Sequence, residues 1–178
     1  MSHEVEIGRG KRGRRAYTLD DVALVPSRRT RDPEDVNVGW QIDAYHVDIP
    51  LMAAPMDSVM SPATAIRFGR LGGIGVLDLD GLWTRYEEQI YSEPIKPSLI
   101  TARLRQLREA GVVVAAKLSP QRTQKYWRYV VDAGVDLFII RGSTVSAEHV
   151  SSHHEPLNLK RFIYELDVPV IVGGVCTD

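Results

Sequence analysis

The stretch LMAAPMDSVMSP, residues 51–62, is an apolar run that ends on Pro55, Met56, Asp57 and Ser58. An ordinary strand end calls for Gly, Asn or Lys, whereas a thioether beside a carboxylate and a hydroxyl suggests a rim against which something binds. Two other sets of residues carry reactive types. His149, His153 and His154 stand with Glu148 and Glu155 in SAEHVSSHHEP, and imidazoles and carboxylates are metal ligands. Their place in a polar loop favours solvated side chains over a metal site. The lone cysteine, Cys176, rules out an intrachain disulfide and points to a reducing compartment. No neighbouring pattern marks it as an activated nucleophile, so it reads as a small buried filler.

These residues need a frame. Apolar runs of strand length occur at 49–55, 72–79, 111–118, 134–142 and 168–175. They are almost continuous in Val, Ile, Leu and Ala rather than alternating, as strands covered on both faces must be, which favours a parallel sheet. Between them lie helical stretches with strong end signals. Ser61-Pro62 opens one that Gly72 stops, and Ser119-Pro120 opens another that Gly134 stops. Tyr126, Tyr129, Val130 and Ala133 are expected to form the buried stripe of the second, and Leu99, Ala102, Leu104 and Leu107 that of a helix over 98–111. A β/α series of this kind builds a doubly wound sheet or part of a (β/α)₈ barrel. In GRLGGIGV the glycines end a helix and enter a strand, the reverse of a dinucleotide fingerprint, so they read as turn and packing glycines. The chain contains no P-loop motif.

The totals bound the partners. With 178 residues, 44% of them hydrophobic, the chain can bury one sizeable core. A net charge of -1 argues against nucleic acid or a membrane surface as partner. Residues 1–16 are the exception: RGKRGRR, 9–15, reads as a flexible basic arm, either a solvated tail or one that wraps a neighbouring subunit or touches phosphate. Lacking a run of roughly 18 apolar residues and the apolar core of a secretion signal, the protein is expected in the cytoplasm.

YTLDDVALVPSR, 17–28, followed by IPLMAAPMDSVMSPATAIRFGRLGGIGVL, 49–77, resembles the N-terminal part of the IMP dehydrogenase and GMP reductase family. VDAGVDLFIIRG and VPVIVGGVCTD fall where that family has its fourth and fifth barrel strands. The resemblance implies an α/β fold, with residues 17–178 as the first five β/α units of a TIM barrel. It also implies a site at the C-terminal ends of the strands for a purine nucleoside monophosphate (IMP, XMP or GMP) and for NAD or NADP. By the same resemblance Met56, with Ala54 and Asp57, lies against the nucleotide. Asp57 has the alternative role of bracing its loop by accepting amide hydrogens. Arg141, Gly142, Ser143, Gly173 and Gly174 fall on the cofactor side.

Dehydrogenases of the family carry CBS domains between the second helix and third strand, and the segment here is too short for them. The chain therefore looks closer to GMP reductases or to bacterial paralogues without CBS domains, and FIIRGSTVSAEHVSS favours the paralogues. Two positions depart from the family pattern. Arg141 stands where an Asp is usual, and Gly174 where an Asn is usual. The family's nucleophilic cysteine, which forms a covalent adduct at purine C2 before hydride transfer, lies on the loop after the sixth strand and is expected beyond Asp178. Cys176 is not that residue, no catalytic residue is expected within the chain, and the sequence reads as part of a longer enzyme, inactive by itself. The resemblance further implies a monovalent cation such as K⁺ at the cysteine loop and a homotetramer. A non-catalytic nucleotide-binding paralogue, acting in regulation or assembly, is the alternative reading.

Overall fold

A computed structural model of the chain describes residues 4–6, 9, 12–14, 17, 19–25, 29, 31–81, 95–142 and 157–173. Residues up to Asn37 form one unit and Val38–Cys176 another. In the first, within the basic arm, β1 (Glu4–Glu6) pairs antiparallel with β2 (Arg12–Arg14), in the register Glu4↔Arg14, Val5↔Gly13, Glu6↔Arg12.

The second unit begins with an antiparallel hairpin of β3 (Trp40–Ile42) and β4 (Tyr45–Val47). Asp43 takes the left-handed turn position, φ 50°, and its carbonyl accepts from the Gln41 side-chain Nε2 at 2.7 Å. Five parallel strands follow in sequential order: β5 (Met52–Ala53), β6 (Ile74–Asp78), β7 (Ala115–Leu118), β8 (Leu137–Arg141) and β9 (Val170–Gly173). Each falls inside one of the five apolar runs. β5 is short because Pro50 and Pro55 bracket it and lack the N–H that a ladder needs. The helices are α1 (Pro62–Arg70), α2 (Pro97–Glu109), α3 (Pro120–Asp132) and α4 (Leu159–Glu165).

Helix ends follow the sequence signals. Ser61 caps α1 by accepting from the Thr64 amide at 3.2 Å. Gly72 and Gly134 stop α1 and α3 with φ 97° and 81°, a conformation that an L side chain rarely adopts. Behind Gly134, the Val135 N–H returns to the Val130 carbonyl, closing the last turn. Half of each expected stripe is buried, Leu104 and Leu107 in α2 and Tyr126 and Val130 in α3, and the rest of each buried face comes from the neighbouring row. α2 buries Ile100, Leu104 and Leu107 while Ala102 is exposed, and α3 buries Thr123, Tyr126 and Val130 while Tyr129 is exposed. At 3.6 residues per turn two adjacent rows both fit the spacing, and contact with the sheet decides between them.

The strands make a curled half-barrel with two differently packed faces. On the helix side Leu77, Leu79, Ala116, Leu118, Phe138 and Ile140 pack with Ala65, Leu104, Val130 and Phe162. Gly75 allows a close approach of backbone to backbone there, since a Cβ on it would lie 2.5 Å from the Ala65 Cα. On the concave side Ile74, Val76, Ala115, Leu137 and Ile139 form a second cluster, covered at the N-terminal end of the strands by Val47, Ile42 and Tyr45 of the hairpin. Buried Asp136 ties that end together: its carboxylate accepts from the Tyr45 hydroxyl at 2.8 Å, Arg108 at 2.7 Å and the Val114 amide at 2.8 Å. Among the described residues no helix is long and apolar enough to cross a membrane.

Candidate functional site at the C-terminal ends of the strands

With apolar layers filling the lower concave face, the period-2 alternation of a strand determines what stands above them. Two residues past Val76 is Asp78, past Ala115 is Lys117, past Ile139 is Arg141, and past Ile171 is Gly173. Asp78 and Lys117 are direct register partners across β6 and β7, and Arg141 and Gly173 across β8 and β9. The open end of the half-barrel is therefore lined by charge and glycine.

At one edge, the chain leaves β5 through a tight turn in which the Met56 N–H donates to the Ala54 carbonyl at 2.9 Å. The Val59 and Met60 amides then donate to the Met56 carbonyl at 3.0 and 2.8 Å, and buried Met60 anchors the turn in the helix-side core. That leaves Ala54, Asp57 and Ser58 exposed and Met56 47% exposed on the rim. The Asp57 carboxyl lies beside Gly81 at the end of β6, where an added Cβ would come within 3.0 Å of its Cγ. No described residue hydrogen-bonds Asp57.

Next to this turn is a network that sequence reasoning missed. The Lys117 ammonium lies 3.2 and 3.3 Å from the two Asp78 oxygens and 2.7 Å from Asp80 Oδ2. Asp80 also accepts from the Ser119 amide at 2.9 Å and the Ser119 hydroxyl at 3.3 Å, with the Arg122 guanidinium 3.8 Å away. Ser119, expected to cap α3 with its own side chain, is instead drawn to a carboxylate placed at the positive end of that helix. The side chains of Lys117, Asp78 and Asp80 are only 13%, 16% and 18% exposed. Burial pushes the Asp78 carboxyl above its ordinary range, against the pull of the adjacent Lys117. A legible signal existed in GVLDLD and AAKLS: a charged residue at the last inward position of an otherwise apolar strand.

Arg141 ends β8 exposed and without an ion-pair partner among the described residues. Beside it are half-buried Gly142 and Gly173, and a Cβ on Gly173 would meet, among the described residues, nothing nearer than Arg141 Cγ at 4.0 Å. Across the rim, the β5 turn thus stands at one edge, the Asp78, Lys117 and Asp80 bridge in the middle, and Arg141 toward the other. Ser143, Gly174, Cys176, Asp178 and the histidine cluster lie outside the described residues, and so does the expected place of the nucleophilic cysteine past Asp178. Among those described, no group of three or more His, Cys, Asp or Glu side chains could hold a metal ion.

Comparison with known proteins gives these features a context. Residues 16–178 match the model of the IMP dehydrogenase / GMP reductase domain. A protein of Mycolicibacterium smegmatis, described as an uncharacterized oxidoreductase, is 45% identical over 96% of this chain and 52% of its own length. An inosine-5'-monophosphate dehydrogenase of Methanocaldococcus jannaschii is 37% identical over 44% of this chain and 15% of its own. The crystal structure of an IMP dehydrogenase/GMP reductase-like protein from Corynebacterium glutamicum superposes with a TM-score of 0.79 at 40% identity, covering 97% of this chain and 52% of that one. The chain spans about half the length of the curated relatives that it matches along most of its sequence. Five parallel strands in sequential order, a turn at residues 54–58 exposed on their C-terminal rim, and a match along nearly the whole sequence place this chain in the IMP dehydrogenase / GMP reductase family.

Proposed function

We propose that this chain supplies one wall of the active site of an NAD(P)-dependent oxidoreductase acting on the purine ring of a nucleoside monophosphate such as IMP, XMP or GMP. One observation carries the reading: a polar top layer, flanked by an exposed Met56, crowns an otherwise apolar concave face at the C-terminal ends of parallel strands. In barrels built this way that end is where chemistry is done.

In this reading Met56, with Ala54 and Asp57 beside it, forms the surface on which the base rests, a thioether packing softly on a flat ring. Arg141 has donors without described acceptors and glycine beside it, which fits an anionic group of a nicotinamide dinucleotide. Arg141, Gly142 and Gly173, with Ser143 and Gly174 next in sequence, are the residues that would hold it. When bound, the nicotinamide supplies the carbon that exchanges a hydride with the substrate. The chain's own contribution is to orient the two rings and to line the site with fixed charge. We place the intact enzyme in the cytoplasm as a homo-oligomer, a setting consistent with one cysteine in 178 residues.

The presence of Arg141, exposed where the family pattern has an acid, favours a second reading: a paralogue that binds the nucleotide without turning it over. Both are tested by mixing the intact protein with IMP and NAD, GMP and NADPH, or XMP and NADPH, following reduced-cofactor absorbance and measuring nucleotide binding calorimetrically. Turnover with one pair supports the oxidoreductase. Nucleotide binding with flat traces in all three supports the paralogue, and no binding at all overturns both.

A further inference from the structure

Lys117 has no task in that reading, yet its position is a costly one. It projects from the central strand of the five onto the concave face, nearly buried, directly above the small Ala115 and between two carboxylates. An ion pair in such a place seldom stabilises a fold more than apolar side chains of like volume, and the layer below shows that apolar residues fit this face. Stability alone therefore leaves the choice of lysine unexplained.

An ammonium has three donors and no acceptor. Asp80 at 2.7 Å takes one and the paired contacts to Asp78 take another, while no other described residue accepts the third. The two aspartates also fix a side chain that is otherwise flexible, and a donor held before the ligand arrives costs little to use. Its place is between the Met56 turn on β5 and Arg141 on β8. Phosphate groups in such barrels commonly sit at the loops after the seventh and eighth strands, whereas Lys117 is on the third of these parallel strands, which favours the base over the phosphate as its partner.

We propose that Lys117 is a ligand-binding residue, its ammonium donating to a carbonyl oxygen or an unprotonated ring nitrogen of the bound purine. This rests on the nucleotide-binding reading above. The test compares dissociation constants of the intact protein for GMP and for ribose 5-phosphate, which lacks the base, in three forms: wild type, Lys117→Met, and the triple variant Asp78→Asn, Lys117→Met, Asp80→Asn. Lys117→Met alone leaves two buried carboxylates without their ammonium and can fail to fold. The triple variant removes the three charges together at nearly constant volume. Both variants are expected to lose about tenfold or more in GMP affinity, the usual scale for a charged hydrogen bond, with ribose 5-phosphate binding unchanged. A folded triple variant that binds GMP as wild type does overturns the proposal, as does an equal loss for both ligands. If wild type binds no purine monophosphate, the nucleotide reading itself fails and takes this inference with it; retained binding in the variants sinks the inference alone.

Discussion

Asp78 is where burial and charge pull in opposite directions. Its carboxyl is raised above the ordinary 3.8 by burial first, with the Lys117 ammonium opposing. For an acid whose folded pKa exceeds its unfolded one, the folded state holds the proton more tightly. Stability contributed at this site is therefore lost as pH climbs from the unfolded value through the folded one, and is level above it. Asp78→Asn cannot titrate. The melting temperature of wild type minus that of Asp78→Asn should consequently fall as pH rises from about 3.8 and then level off, a comparison made by thermal unfolding between about pH 3.5 and 7. A difference that grows with pH would mean that attraction to Lys117, rather than burial, sets the balance at this pair.

At the level of elements, the rim depends on how closely α1 lies against β6. A methyl group at Gly75 would fall 2.5 Å from the Ala65 Cα and 2.8 Å from its carbonyl oxygen, and backbone atoms cannot swing aside as a long side chain can. Gly75→Ala should cost about 1–3 kcal/mol in urea unfolding, the range for overpacking, by forcing α1 and the 54–60 turn before it outward. A cost within error would show that the helix is free to shift. The same elements were the easiest to read from sequence, because Ser-Pro at one end and Gly at the other state a local backbone requirement. The β3–β4 hairpin was not legible: its strands are three residues each, and its turn uses Asp43 rather than glycine. The Asp78, Lys117 and Asp80 network was legible only in part: GVLDLD and AAKLS each show a charge at the last inward position of an apolar strand, but not which charges meet. Only the register of β6 on β7, which pairs Asp78 with Lys117, turns two distant charges into one bridge. Met56 and Asp57 stood out as candidates because proline, thioether and carboxylate sit together in one short stretch, with no long-range pairing needed to notice them.

Across the half-barrel as a whole, the two ends of the strands differ in composition and bonding. The open end holds charged groups and glycine, whereas the other end is closed by the hairpin and tied by Asp136 to Tyr45, Arg108 and the Val114 amide. In barrels of this type, chemistry belongs to the first end and stability to the second. Tyr45→Phe separates the two. At neutral pH it removes one of three donors to Asp136, for an expected cost of about 1 kcal/mol, with Arg108 and Val114 still in place. The hydrogen bond to Asp136 raises the Tyr45 phenol above its ordinary 10.0, with burial adding to the shift. The folded state therefore keeps that proton longer than the unfolded one, and wild type should lose stability as pH rises past 10.0 while Tyr45→Phe loses none at this site. Urea midpoints for the two proteins should accordingly converge above pH 10.0, with ligand affinity at the open end the same in both at neutral pH. Midpoints that stay parallel would place the Tyr45 proton outside the folding equilibrium, and a change in affinity would mean that the hairpin end communicates with the rim.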